Sequence, residues 1–182
     1  MKETRLRIRL LGDPALRKKS RPVANINQRH QDILGEMARL MYVNSGIGLA
    51  APQVGINEAM IVVDIGSGLY KLINPKIVSK SGHQVMEEGC LSIPGVCIKV
   101  KRAQKVLLEA QDEEARPVAI EAQGLLACVF QHEIEHLSAR LTVDHTSFFE
   151  KLKLRKRLTA LRKRSKDEEL SESKTKSCQL QL

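Results

Sequence analysis

Aromatic residues are scarce in this 182-residue chain, which has two Tyr, three Phe and no Trp. That scarcity counts against modules that read single-stranded nucleic acid by stacking bases on aromatic platforms. Cysteine is sparse as well: Cys90, Cys97, Cys128 and Cys178 form no CxxC pair. The start, MKETRLRIRLLGDP, lacks the uninterrupted apolar core of a secretory leader. A disulfide framework is therefore not expected, and a reduced, cytoplasmic setting is. No run approaches the ~18 apolar residues of a membrane span, and no internal repeat is visible.

Acidic residues are few at the two ends. Residues 1–30 carry nine Lys/Arg against two acids, residues 31–150 ten against fifteen, and residues 151–182 eleven against four. The net charge of +9 belongs to the ends, while the body is mildly acidic. Nucleic-acid contact is accordingly a hypothesis for the tail and not for the fold. The balance of 42% hydrophobic and 28% charged residues is that of a globular protein, and the length fits one domain. The chain divides into one folded domain over 1–150, a basic C-terminal helix over 151–166 and a flexible polar tail over 167–182.

The coarse class is α+β, with small antiparallel sheets packed around one buried helix. Residues 1–24, with Pro14 and Pro22, read as an extended segment wrapping the body. Asn25, Ile26 and Asn27 precede a helix running to about Asn44, with Ile33, Met37, Leu40 and Met41 on one face. Gly46, Ile47 and Gly48 end it. AMIVVDI (59–65) and LYKLINP (69–75) read as strands joined at Gly66-Ser67-Gly68. QKVLLEAQ (104–111) and PVAIEAQ (117–123) form a second hairpin. GLLACVFQHEIEHL (124–137) has the helical period, with Leu125, Val129, His132 and His136 on one face. In KLKLRKRLTALRKRSK (151–166), Leu154, Leu158 and Leu161 make a narrow apolar stripe among nine basic residues.

The sharpest local signal is His132-Glu133-Ile134-Glu135-His136. Residues four apart on a helix lie one above the other, so both imidazoles reach one metal. Glu133 sits beside them and can hold a water proton without being a ligand. A hydrolytic site needs a third protein ligand. The spacing HExxHxxGxxH is excluded, because position 139 is Ala and position 142 is Thr. His145 is one candidate. Cys90, in Glu87-Glu88-Gly89-Cys90-Leu91-Ser92, is a thiolate candidate whose bland alternative is a small buried hydrophobe. Gly46-Ile47-Gly48-Leu49-Ala50-Ala51-Pro52-Gln53 lets backbone approach closely and offers the Gln53 amide as a donor.

GIGLAAPQ (46–53), EGCLS (88–92) and QHEIEH (131–136) together resemble the peptide deformylases, whose motifs GxGLAAxQ, EGCLS and QHExDH stand in the same order. The resemblance runs over roughly residues 5–165. It implies removal of the formyl group from the N-terminal formyl-methionine of new polypeptides, with release of formate. It also implies that the domain over 1–150 is a metallohydrolase with the HExxH helix among antiparallel sheets. By motif match, Cys90, His132 and His136 become metal ligands and Glu133 the acid and base. Gln53 and the Leu91 N–H become oxyanion donors, and Ile47, Gly48, Leu125 and Val129 bind substrate. The family characteristically uses Fe(2+), and Zn(2+), Ni(2+) or Co(2+) can fill the same site. The implied partners are formylated nascent peptides. Separately, the basic run over 151–166 is a candidate for weak ribosome contact, with a solubilising helix that covers the sheet as the bland alternative, and no membrane partner is expected.

The chain departs from the family pattern at three places. Glu135 replaces the usual Asp of HExDH, where the added methylene could disturb an ion pair with Arg102. Ala139 stands where Gly is common, and Thr142 where a large apolar residue is usual. Two other readings compete: a zinc endopeptidase with His145 or a distant acid as third ligand, and an RNA-binding protein with a closed structural metal.

Overall fold

The computed structural model describes residues 6–167. A helix, α1 (Gln28–Val43), opens the folded body. It begins at Asn27, whose side chain accepts from the Arg29 N–H while the Asn27 N–H donates to His30 Nδ1. Two of the orphan donors at the helix start are thereby satisfied. Leu34, Met37, Leu40 and Met41 face inward. Among the described residues before α1 the regular element is a 3-10 turn at Pro14–Arg17.

Seven strands follow: β1 (Gly48–Ala50), β2 (Met60–Val63), β3 (Tyr70–Ser81), β4 (Gln84–Glu88), β5 (Ile98–Arg102), β6 (Lys105–Gln111) and β7 (Pro117–Gln123). Five form an antiparallel sheet in the order β1-β2-β3-β6-β7, and β4 pairs with β5 separately. Both hairpins expected from the sequence are present, β2–β3 and β6–β7. Strand β3 runs six residues beyond the apolar run at 69–75 because shifts in its pairing with β6 bend it and let the polar stretch continue the ladder. The pair β4–β5 was not foreseen, since QVMEE and IKVKR are too polar to stand out as core strands. Their alternation is nevertheless regular, with Ile98, Val100 and Arg102 turned inward.

Helix α2 (Gly124–Leu137) crosses this assembly, and a last helix, α3 (Phe148–Asp167), follows a 3-10 turn at Thr142–His145. The tail expected over 167–182 lies outside the described residues apart from Asp167. Apolar packing falls into three clusters. One surrounds α1 and includes Leu91. The second lies between the large sheet and α2 and includes Val129 and Phe130. The third joins the N-terminal segment, β5 and α3, with Cys90, Leu158 and Leu161 inside and Leu154 at its margin. Among the described residues no helix is long and apolar enough to cross a membrane.

Candidate metal centre

Helix α2 supplies His132, Glu133 and His136, all buried. Ala127, Cys128, Val129 and Phe130 pack inward one turn earlier, while buried Glu88 supplies the polar partner that His132 needs there. Cys90 lies in the turn that follows β4, held by the Ile93 N–H donating to the Cys90 carbonyl at 2.8 Å. The turn and the helix meet where the three apolar clusters converge. Cys90 Sγ is 3.4 Å from His136 Nε2, and the two Nε2 atoms are 3.2 Å apart. One ligand atom from each of Cys90, His132 and His136 fits within 4.8 Å of the others. The other candidate third ligand, His145, is turned to Glu135 at 2.7 Å and does not join them.

The tautomer of His132 follows from its partner. Nδ1 meets Glu88 Oε2 at 2.9 Å, and an ionised carboxylate only accepts, so Nδ1 carries the hydrogen and Nε2 keeps its lone pair. Glu88 is fixed in turn by Arg102, whose Nε and Nη2 donate to its two oxygens at 2.6 and 2.8 Å. This fork holds the Glu88 carboxyl down to about 2 against a burial penalty of the opposite sign. The Cys128 thiol donates to Glu88 Oε1 at 3.2 Å. From the sequence Glu88 carries no role beyond its place in EGCLS, and Cys128 reads only as a small buried hydrophobe or an exposed thiol; it is buried, with its thiol on Glu88. The inward phase of β4 and β5 is the signal that Glu88 and Arg102 share the inner face; the register sets them at opposite ends of the ladder, and it is the long Arg102 side chain that closes the distance.

Three features suit a divalent cation. The two Nε2 atoms and a thiol sulfur converge within 4.8 Å of one another. Burial pushes the Cys90 thiol up to about 12, with the nearby Glu133 adding to the effect. Among the described residues, both Glu133 oxygens and His136 Nδ1 are buried without a hydrogen-bond partner. Burial drives the Glu133 carboxyl well above its ordinary value and the His136 imidazole well below. A cation among these atoms reverses that balance, because a coordinating thiol is deprotonated outright.

Gln53 lies beside Cys90. Its Oε1 accepts from the Ala50 N–H at 2.7 Å, which turns Nε2 toward Cys90 Sγ at 3.5 Å and Ser92 Oγ at 3.3 Å. Ile47 and Leu125 are half-buried against the cluster that contains Val129. Gly48 packs on Glu133 so closely that a Cβ there would collide with the carboxylate.

The departures at the end of α2 have definite consequences. Glu135 reaches Arg102 Nη1 at 2.9 Å, so the longer side chain keeps the ion pair. Ala139 has φ 61°, the left-handed conformation that favours Gly. Thr142 is buried with its hydroxyl unpartnered.

The comparisons with known proteins agree on one family. The family model for polypeptide deformylase matches residues 5–152. A peptide deformylase of Caldanaerobacter subterraneus subsp. tengcongensis is 52% identical over 137 residues, covering 75% of this chain and 86% of that protein. The crystal structure of a peptide deformylase from Thermus thermophilus superposes with a TM-score of 0.84 at 36% identity, covering 88% of this chain and 99% of the other. One from Synechococcus elongatus, in complex with actinonin, superposes at 0.80 with 40% identity, covering 88% of each chain. With the match spanning the sheets, the turn at Cys90 and the HExxH helix, the chain belongs to the polypeptide deformylase family, metal-dependent hydrolases that remove the N-terminal formyl group from new polypeptides.

Proposed function

We propose that Cys90, His132 and His136 hold a divalent metal through one sulfur and two nitrogens, and that Glu133 is the acid and base beside it. The observation that carries this reading is the convergence of three buried ligand atoms around an unpaired buried carboxylate. Fe(2+) is the metal we favour on the family resemblance; Zn(2+), Ni(2+) and Co(2+) suit the same mixed thiolate and imidazole set. When bound, such a metal supplies Lewis acidity toward the formyl oxygen and makes water more acidic.

Glu133 takes a proton from the attacking water and returns it to the amine that leaves. Its buried position suits that work, since its proton affinity is raised by burial and, among the described residues, no side chain competes for its oxygens. Gln53 donates from Nε2 to the oxygen that gains charge, and the Leu91 N–H is a second donor. One such donor is typically worth ~3 kcal/mol in the transition state. The Ala50 contact fixes which end of the amide faces the site. The existing contacts of Nε2 to Cys90 and Ser92 are long and easily exchanged for a stronger acceptor. Ile47, Gly48, Leu125 and Val129 receive the methionine side chain, on the support that three of them belong to one apolar cluster beside α2.

The test is formate release from formyl-Met-Ala-Ser after anaerobic loading with metal. Activity should disappear on chelation and return on reloading. A chelated chain that keeps full turnover refutes the reading.

Helix α3 supports a second, smaller part of the proposal, weak ribosome contact in the cytoplasm. It buries Leu158 and Leu161 and exposes Lys151, Lys153, Arg155, Lys156, Arg157, Arg162 and Lys163. Such contact must weaken steeply with salt, because it neutralises phosphates. Replacing Arg155, Lys156, Arg162 and Lys163 by Gln should abolish co-sedimentation with ribosomes at low salt and spare turnover of the free tripeptide. Unchanged sedimentation would exclude α3 as the anchor.

A further inference from the structure

Glu135 immediately precedes His136 but takes no part in the three-atom cluster. Its Oε2 is shared by Arg102 Nη1 at 2.9 Å and His145 Nε2 at 2.7 Å, and Arg140 stands 3.6 Å from Oε1. Arg102 spends its other two nitrogens on Glu88, and Glu88 receives the His132 Nδ1–H. A continuous line of five side chains thus runs from His145 through Glu135, Arg102 and Glu88 to the ring of His132. Side-chain exposure falls along it from 19% at His145 and Glu135 to 3% at Arg102 and 0% at Glu88.

We propose that His145 is a positioning residue for the metal centre, acting through Glu135 and Arg102 on Glu88 and hence on His132. The inference rests on the reading of His132 as a ligand. Arg102 is one guanidinium divided between two carboxylates. Its fork on Glu88 stays aligned only while Glu135 stays where Nη1 can reach it. Helix α2 fixes the Glu135 backbone, but three side-chain torsions remain. His145 removes that freedom from the outside: an ionised carboxylate only accepts, so Nε2 carries the hydrogen and donates it.

The length of Glu135 makes the arrangement possible. Its carboxylate extends past Arg102 to the turn at Thr142–His145, which packs on β5. The line therefore ties α2, β5 and that turn at one carboxylate. Groups that support a metal-bound imidazole from behind typically change metal affinity 10–100-fold when removed. His145 is three side chains removed from the imidazole and belongs at the low end of that range.

The experiment compares the full chain with His145→Ala, His145→Arg, Asp144→Asn and His132→Ala. Metal affinity is read by chelator competition, ligand geometry by the absorption bands of Co(2+)-loaded protein, and turnover separately. His145→Ala should weaken metal binding about tenfold and shift the Co(2+) bands with KM unchanged, and His145→Arg, which keeps a donor, should restore both. Asp144→Asn loosens the same turn by removing the charge and one of the two oxygens that accept from Arg17, one of which also accepts from the Leu141 N–H, and it replaces no atom that touches Glu135. It should lower thermal stability without changing metal affinity. His145→Ala with parental affinity and bands overturns the proposal, as does an equal loss of affinity in Asp144→Asn. Metal retention by His132→Ala would instead refute the ligand reading itself.

Discussion

Gly48 and Glu133 share one small volume: a Cβ on Gly48 would stand 2.9 Å from Cδ and 3.0 Å from Cγ of Glu133. Such separations are too short for carbon, so one side chain must give way. Glycine at position 48 is therefore what allows the carboxylate to occupy its place. Gly48→Ala should retain the metal, because no proposed ligand moves directly, while formate release falls ~100-fold through a displaced acid and base. Parental turnover in Gly48→Ala would show that Glu133 has room to act from elsewhere.

Glu133 sets function against stability. Its folded carboxyl holds a proton well above 4.5, whereas the unfolded chain releases it near 4.5. Above that pH the unfolded state binds fewer protons than the folded one, so metal-free stability falls as pH rises. Glu133→Gln removes this loss. In denaturant titrations of metal-free protein, the variant should gain stability relative to the parent at pH 7 and little at pH 4. The same variant should keep its metal and lose ~100-fold or more in formate release.

Cys90 makes metal binding depend on pH. With the metal-free thiol pushed up to about 12, binding near neutral pH must expel that proton. Affinity should then rise about tenfold per pH unit between 6.5 and 8.5, after correction for the buffer's own binding. Cys90→Ala should lose tightly held metal and this steep dependence together. Equilibrium dialysis across that range measures both, and an unchanged slope in Cys90→Ala would assign the proton elsewhere.

Ala139 carries a backbone cost at the end of α2. The turn is built by the Arg140 N–H donating to the Glu135 carbonyl at 2.9 Å, and it requires φ 61° at position 139. Ala139→Gly should raise stability by about 1 kcal/mol, measured as a higher midpoint in urea at unchanged slope. A lower midpoint would mean that the methyl group packs more favourably than the conformation costs.

The sequence by itself determined the helix over 124–137, the two hairpins and the residue types of the site. Each of these is a local matter. Period 3.6 puts His132 above His136, period 2 with short Gly or Asp turns makes hairpins, and motif order identifies the family. The apolar stripe of α3 was legible for the same reason. The tertiary structure decided what meets what. Cys90 is 42 residues from His132 in the chain, and only the turn after β4 docking on α2 puts its sulfur among the imidazoles while His145 turns away to Glu135. Strands β4 and β5 escaped detection because their inward positions include Glu88 and Arg102, which look like surface residues until each is seen to satisfy the other. The same charge pair sets the tautomer of His132, a property of three side chains from three elements that no stretch of sequence holds. Pairing across the fold lets buried charge survive, and it is visible only after the elements have packed.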